Sequence, residues 1–71
     1  MIQPEEVGAK IRAIRKAQHM SQEAVAEQAY MTVQTISTME TGKKWLPVWD
    51  YLAICEALCC TPNDIFCEEE K

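Results

Sequence analysis

Glycine occurs twice and proline three times in 71 residues, too little of either for a chain built from loops or left disordered. A single histidine and the lack of any glycine-rich phosphate loop argue against a nucleotide-dependent or triad-type enzyme. The expectation is therefore no enzymatic activity, no cofactor and no small-molecule substrate. No apolar run approaches the ~18 residues of a membrane span. Residues 1–6 have neither the basic region nor the apolar core of a signal peptide. These features predict a cytoplasmic protein with no membrane partner, in which the four cysteines are reduced thiols rather than a disulfide framework.

Excess positive charge is also missing, since seven basic residues face eleven acidic ones for a net −4. Position qualifies that balance. Residues 1–44 hold six basic side chains (Lys10, Arg12, Arg15, Lys16, Lys43, Lys44) against five acidic ones, hence +1, whereas residues 45–71 hold one against six, hence −5. The two halves are suited to different partners. The length allows one small domain, because a chain of this size buries only ~60% of the surface its unfolded form exposes. We place that domain at 1–67 and a solvated acidic tail at 68–71.

What is present is helical periodicity. Val7, Ile11 and Ile14 recur at i, i+4 and i+7 behind Pro4, predicting a first amphipathic helix to about residue 18. His19 falls where a helix end wants a left-handed residue. Ser21 is a good N-cap for a second helix over 22–29, with Glu23 placed where the dipole favours an anion. Thr32 caps a third over 33–41, and Gly42 ends it. A link of about three residues between the second and third helices forces a steep crossing, the geometry of a helix-turn-helix. Pro47 opens a fourth helix in which Val48, Tyr51, Leu52, Cys55 and Leu58 share one face, with Trp49 off it. Thr61-Pro62-Asn63-Asp64 reads as cap, first-turn proline and acidic third position of a short fifth helix carrying Ile65 and Phe66.

The run Ser21-Gln22-Glu23-Ala24-Val25-Ala26, then Thr32, Thr35-Ile36-Ser37, Met39-Glu40 and Gly42-Lys43 resembles the DNA-binding domain of the Cro and lambda-type repressor family, also called the xenobiotic-response-element family. The resemblance continues through Ile54-Cys55-Glu56-Ala57-Leu58 and Pro62-Asn63-Asp64-Ile65-Phe66. It implies an all-α, compact five-helix bundle whose third helix enters the major groove of double-stranded DNA. The implied role is sequence-specific binding by a small transcriptional regulator, of the phage or mobile-element repressor type, acting as a homodimer on a palindromic operator.

Carried onto these positions, the resemblance assigns Ser21 and Gln22 to a DNA phosphate at the second helix's N-terminus. It assigns Val33, Gln34, Ser37 and Thr38 to the base edges, where Gln34 can pair with adenine and Val33 can pack on a thymine methyl. Thr35 suits a phosphate or the capping turn. Lys43 and Lys44 reach the sugar-phosphate backbone without reading sequence. Arg15 and Glu40 match two positions that form a partly buried structural ion pair. Trp45 and Trp49, with the fifth helix and its Phe66, are candidates for a partner surface, although Trp45 also suits a cover over the core edge.

Three departures qualify the resemblance. Tyr30 stands where the family usually has glycine, so either it is left-handed or the turn is rearranged. The third helix lacks arginine and lysine, which favours A·T-leaning readout. The acidic carboxyl half must point away from DNA. Two other readings stay open: a protein-binding module such as an antirepressor, and a thiol- or metal-responsive regulator using Cys55, Cys59, Cys60 and Cys67. The cysteine spacing matches no zinc pattern, and core packing is the favoured role for Cys55 and Cys60, so no metal is expected.

Overall fold

Four of the five helices begin at a side-chain cap or capping box, and a computed structural model describes the result for residues 2–67. Helix α1 spans Pro4–Ala17, and the Glu6 carboxylate accepts the Gln3 backbone N–H at 2.8 Å. Helix α2 spans Gln22–Ala29, with Ser21 Oγ accepting from the Ala24 N–H at 3.0 Å. Helix α3 spans Val33–Thr41, with Thr32 Oγ1 accepting from the Thr35 N–H at 3.2 Å. Helix α4 spans Val48–Ala57; Pro47 is its N-cap rather than part of its first turn. Helix α5 spans Pro62–Phe66, where the Asp64 carboxylate accepts the Thr61 N–H at 2.8 Å. The proposed tail at 68–71 lies outside the described residues.

The helix ends share one device. His19, Tyr30 and Cys59 have φ of 58°, 58° and 55°, a left-handed conformation that costs a non-glycine residue of order 1 kcal/mol. Past each of them the next N–H turns back onto the helix: Met20 to the Arg15 carbonyl, Met31 to the Ala26 carbonyl and Cys60 to the Cys55 carbonyl. This is the Schellman bond, which satisfies a terminal carbonyl and drops the following apolar side chain onto the core. Met20, Met31 and Cys60 all pack there. Tyr30 thus keeps the turn without glycine, with its side chain left 96% exposed.

The core combines Val7 and Ile11 of α1, Val25 and Ala29 of α2, Ile36 and Met39 of α3, Tyr51, Ile54 and Cys55 of α4, Leu58, and Ile65 of α5. On α4 the expected face holds at Tyr51, Cys55 and Leu58, which are buried, but not at Val48 and Leu52. Val48 and Leu52 are about half exposed, at 53% and 46%, while Ile54 is fully buried. The helix carries apolar residues on both sides, so periodicity alone does not set the edge of the inner face.

Two close backbone approaches set α3 on α1. A Cβ at Gly8 would lie 2.4 Å from the Met39 carbonyl oxygen, and one at Gly42 would lie 2.4 Å from Glu5 Cα. Gly42 is in addition left-handed, with φ 67°. Glycine is required at both positions because backbone meets backbone there.

Candidate nucleic-acid interface

Helix α3 turns Ile36 and Met39 into the core, at 0% and 1% exposure. That fixes the opposite side as the one free to meet a partner. Val33 and Gln34 are exposed there, and Ser37 and Thr38 are half-buried beside them. Thr35 is held in the capping turn: besides its N–H bond to Thr32, its hydroxyl lies 3.0 Å from the Thr32 hydroxyl. Lys43 and Lys44 follow Gly42 and are both exposed, next to the end of α3 where the dipole favours cations.

A polar network beneath this surface ties three helices together. Arg15 donates to Glu40 through Nε at 2.6 Å and through the second guanidinium nitrogen at 3.1 Å. Its remaining nitrogen donates to the Met20 carbonyl at 2.8 Å. Side-chain exposures of 10% and 5% make this a buried pair, and the Glu40 hydrogen bond raises the Arg15 pKa further above its ordinary value. The Gln22 side-chain amide also donates to Glu40, at 3.1 Å. Gln22, expected at a phosphate, is therefore anchored to the ion pair, with one amide hydrogen still uncommitted. Ser21 is exposed and its oxygen serves as the cap of α2.

The aromatic residues separate into two groups. Trp45, Tyr51 and Phe66 form a cluster, with centroids 5.4 Å apart for Tyr51 and Phe66, 6.0 Å for Trp45 and Tyr51 and 6.4 Å for Trp45 and Phe66. The Tyr51 hydroxyl accepts the Leu46 N–H at 3.2 Å. Phe66, expected on a partner surface, is half-buried in this cluster, where the short α5 packs it against the rings. Trp45 serves as edge cover and yet is 48% exposed. Trp49 touches no other ring among the described residues and is 73% exposed. Within α4, Val48 and Leu52 are one turn apart and flank Trp49, at 53% and 46% exposure, whereas Trp45 precedes the helix and belongs with the ring cluster.

The Cys55 and Cys60 thiols hydrogen-bond each other, without assembling a metal site among the described residues. Burial pushes the Cys55 thiol up to about 12 and raises that of Cys60, which disfavours the thiolate form that binds metals. Cys59 and Cys67 are exposed. Among the described residues no three histidine, cysteine or acidic side chains are grouped as a metal site would require, and no helix is long and apolar enough to cross a membrane.

Comparison with known proteins agrees with this geometry. A family described as "Helix-turn-helix domain" matches residues 6–65. The restriction-modification controller protein C.AhdI from Aeromonas hydrophila is similar in structure, with a TM-score of 0.84 and 24% identity over 89% of this chain and 96% of that one. The clp gene regulator ClgR from C. glutamicum gives a TM-score of 0.83 and 23% identity over 92% of this chain and 84% of that one. Among curated proteins no significant match was found.

Proposed function

The chain belongs to the helix-turn-helix domain family, a DNA-binding regulatory fold, and we infer that it reads a short operator with the outer face of α3. The observation that carries this reading is that Val33 and Gln34 stand exposed on a helix whose other side is locked into the core. A protruding helix of this kind fits the major groove, where each base pair shows a distinct donor and acceptor pattern. Gln34 reads adenine, Val33 meets a thymine methyl, and Ser37 and Thr38 accept or donate beside them. Thr35 supports the turn. Lys43, Lys44 and the α2 start at Ser21 and Gln22 hold the backbone. A helix occupying the groove excludes other proteins from the site, which supports repression as the outcome and a binding role without enzymatic chemistry.

Binding-site selection from random duplexes, followed by titration of variants, tests the assignment. Gln34→Ala is expected to lose ~1–3 kcal/mol of preference at one base pair, whereas Lys43→Ala weakens all sequences alike and lowers the salt slope by about one. If both variants bind the selected duplex like the parent, α3 is not the reading element.

Two copies of the domain bind together in this reading. Val48, Trp49 and Leu52 are exposed apolar residues on the outer side of α4, with the half-exposed Trp45 just before the helix, and a helix apolar on both sides calls for a second buried contact. A second copy placed by a two-fold axis buries both sets and pairs two reading helices over a palindrome. Trp49→Glu is expected to convert a dimer into a monomer by sedimentation and to weaken operator binding at least about tenfold, through lost effective concentration. A parent that sediments as a monomer on and off DNA rules the dimer out. Cys55 and Cys60, packed as small hydrophobes, suit a reducing cytoplasm.

A further inference from the structure

Helices α1, α2 and α3 enclose an open cleft of about 260 Å³ lined by Arg12, Arg15, Gln22, Ser37, Glu40 and Thr41. Within it, most of the polar groups satisfy one another. The Glu40 carboxylate is taken by Arg15 and Gln22, and the Thr41 hydroxyl donates to the Thr38 carbonyl at 2.9 Å. Arg12 is exposed and shows no ion pair or side-chain hydrogen bond among the described residues. Since Arg15 and Glu40 cancel, the cleft carries a net charge of +1 from Arg12, in a chain whose total is −4.

We propose that this cleft seats one backbone phosphate of the bound DNA and that Arg12 is the cation that holds it. The proposal rests on the reading of α3 as the groove-entering helix, and it adds α1 to the surface that touches DNA. The donors that remain free fit an anion with several acceptor oxygens. The Arg12 guanidinium offers a planar fork that pairs two phosphate oxygens at once. Gln22 keeps one amide hydrogen and Ser37 its hydroxyl. Ser37 belongs to the exposed side of α3, so an anion in the cleft lies at the edge of the groove this helix enters. Among the described residues, α4 and α5 contribute no carboxylate to the wall of the cleft.

The test uses the full chain and a mixed-sequence duplex, followed by fluorescence anisotropy across a salt series. Arg12→Ala is expected to weaken binding about tenfold at low salt and to make the log-log salt slope shallower by about 0.9, the signature of one lost phosphate contact. Arg12→Lys restores the slope but only part of the affinity, because an ammonium lacks the fork. Since Arg12 is exposed, the melting midpoint of both variants should match the parent. Parent-like affinity and slope for Arg12→Ala overturn the seat while leaving α3 as the reader. So does a loss confined to one selected sequence with the slope unchanged, which makes Arg12 a base reader instead. A parent that binds no duplex at all sinks the reading of α3, and the seat with it.

Discussion

Gly8→Ala is expected to destabilise the domain by about 3 kcal/mol, although the same change inside an ordinary helix stabilises by up to ~1 kcal/mol. Position 8 lies inside α1, so intrinsic preference alone favours alanine. Contact decides the sign. The added Cβ would stand 2.4 Å from the Met39 carbonyl oxygen and 2.6 Å from that of Glu40, and both are backbone atoms that cannot swing aside. Relief requires α3 to lift off α1, which opens the core at Ile36 and Met39. Urea unfolding followed by tryptophan fluorescence measures the effect. A variant as stable as the parent, or more so, would show that the two helices do not approach as described.

The second large effect lies one layer deeper. Glu40→Ala is expected to destabilise by about 3 kcal/mol, the lower part of the range for breaking a buried ion pair, because the cleft beside it lets water reach the orphaned guanidinium. Against a total stability of ~5–15 kcal/mol that is a major fraction. Arg15 would keep only its bond to the Met20 carbonyl, and Gln22 would lose its anchor. Replacing both partners together, Arg15→Met with Glu40→Met, should be less harmful than Glu40→Ala alone, since no uncompensated charge is then left inside. The same denaturation assay decides it, and a double variant worse than the single one overturns the account.

The contrast between these positions shows which parts of the structure were legible in the sequence. Helix α3 was, with both of its ends at 33 and 41, because Thr32 and Gly42 act on the backbone within a turn and leave a local signature. The same holds for Ser21 and for the Thr61 to Asp64 box. The Arg15 and Glu40 pair came through the family resemblance, and the structure closes it. His19 is left-handed as its position suggested, and Tyr30, where two outcomes stood open, is left-handed too. Cys59 repeats the device without any sign in the sequence, since cysteine has no particular liking for that conformation.

What escaped were choices made by packing. On α4 periodicity picks out Tyr51, Cys55 and Leu58 but sets the edge of the inner face wrongly, burying Val48 and Leu52 in place of Ile54, because both sides carry apolar residues. The sequence pattern does not show that Phe66 lies among rings contributed from residues 15 and 21 positions earlier. Gly8 carried no signal, for a glycine inside a helix announces nothing until its neighbour across the gap is known. The bond of Gln22 to Glu40 has no local signature, nor has the isolation of Arg12, which is a property of the folded cleft.

The way α3 is mounted has a consequence for how such a domain can change its target. Gly8, Gly42 and Arg15 all fasten α3 to α1, so in the proposed reading its tilt and depth are set by a rail that meets no base. Substitutions along that rail can re-aim the same side chains at a different spacing of base pairs. New preferences can therefore arise from residues absent from any map of base contacts.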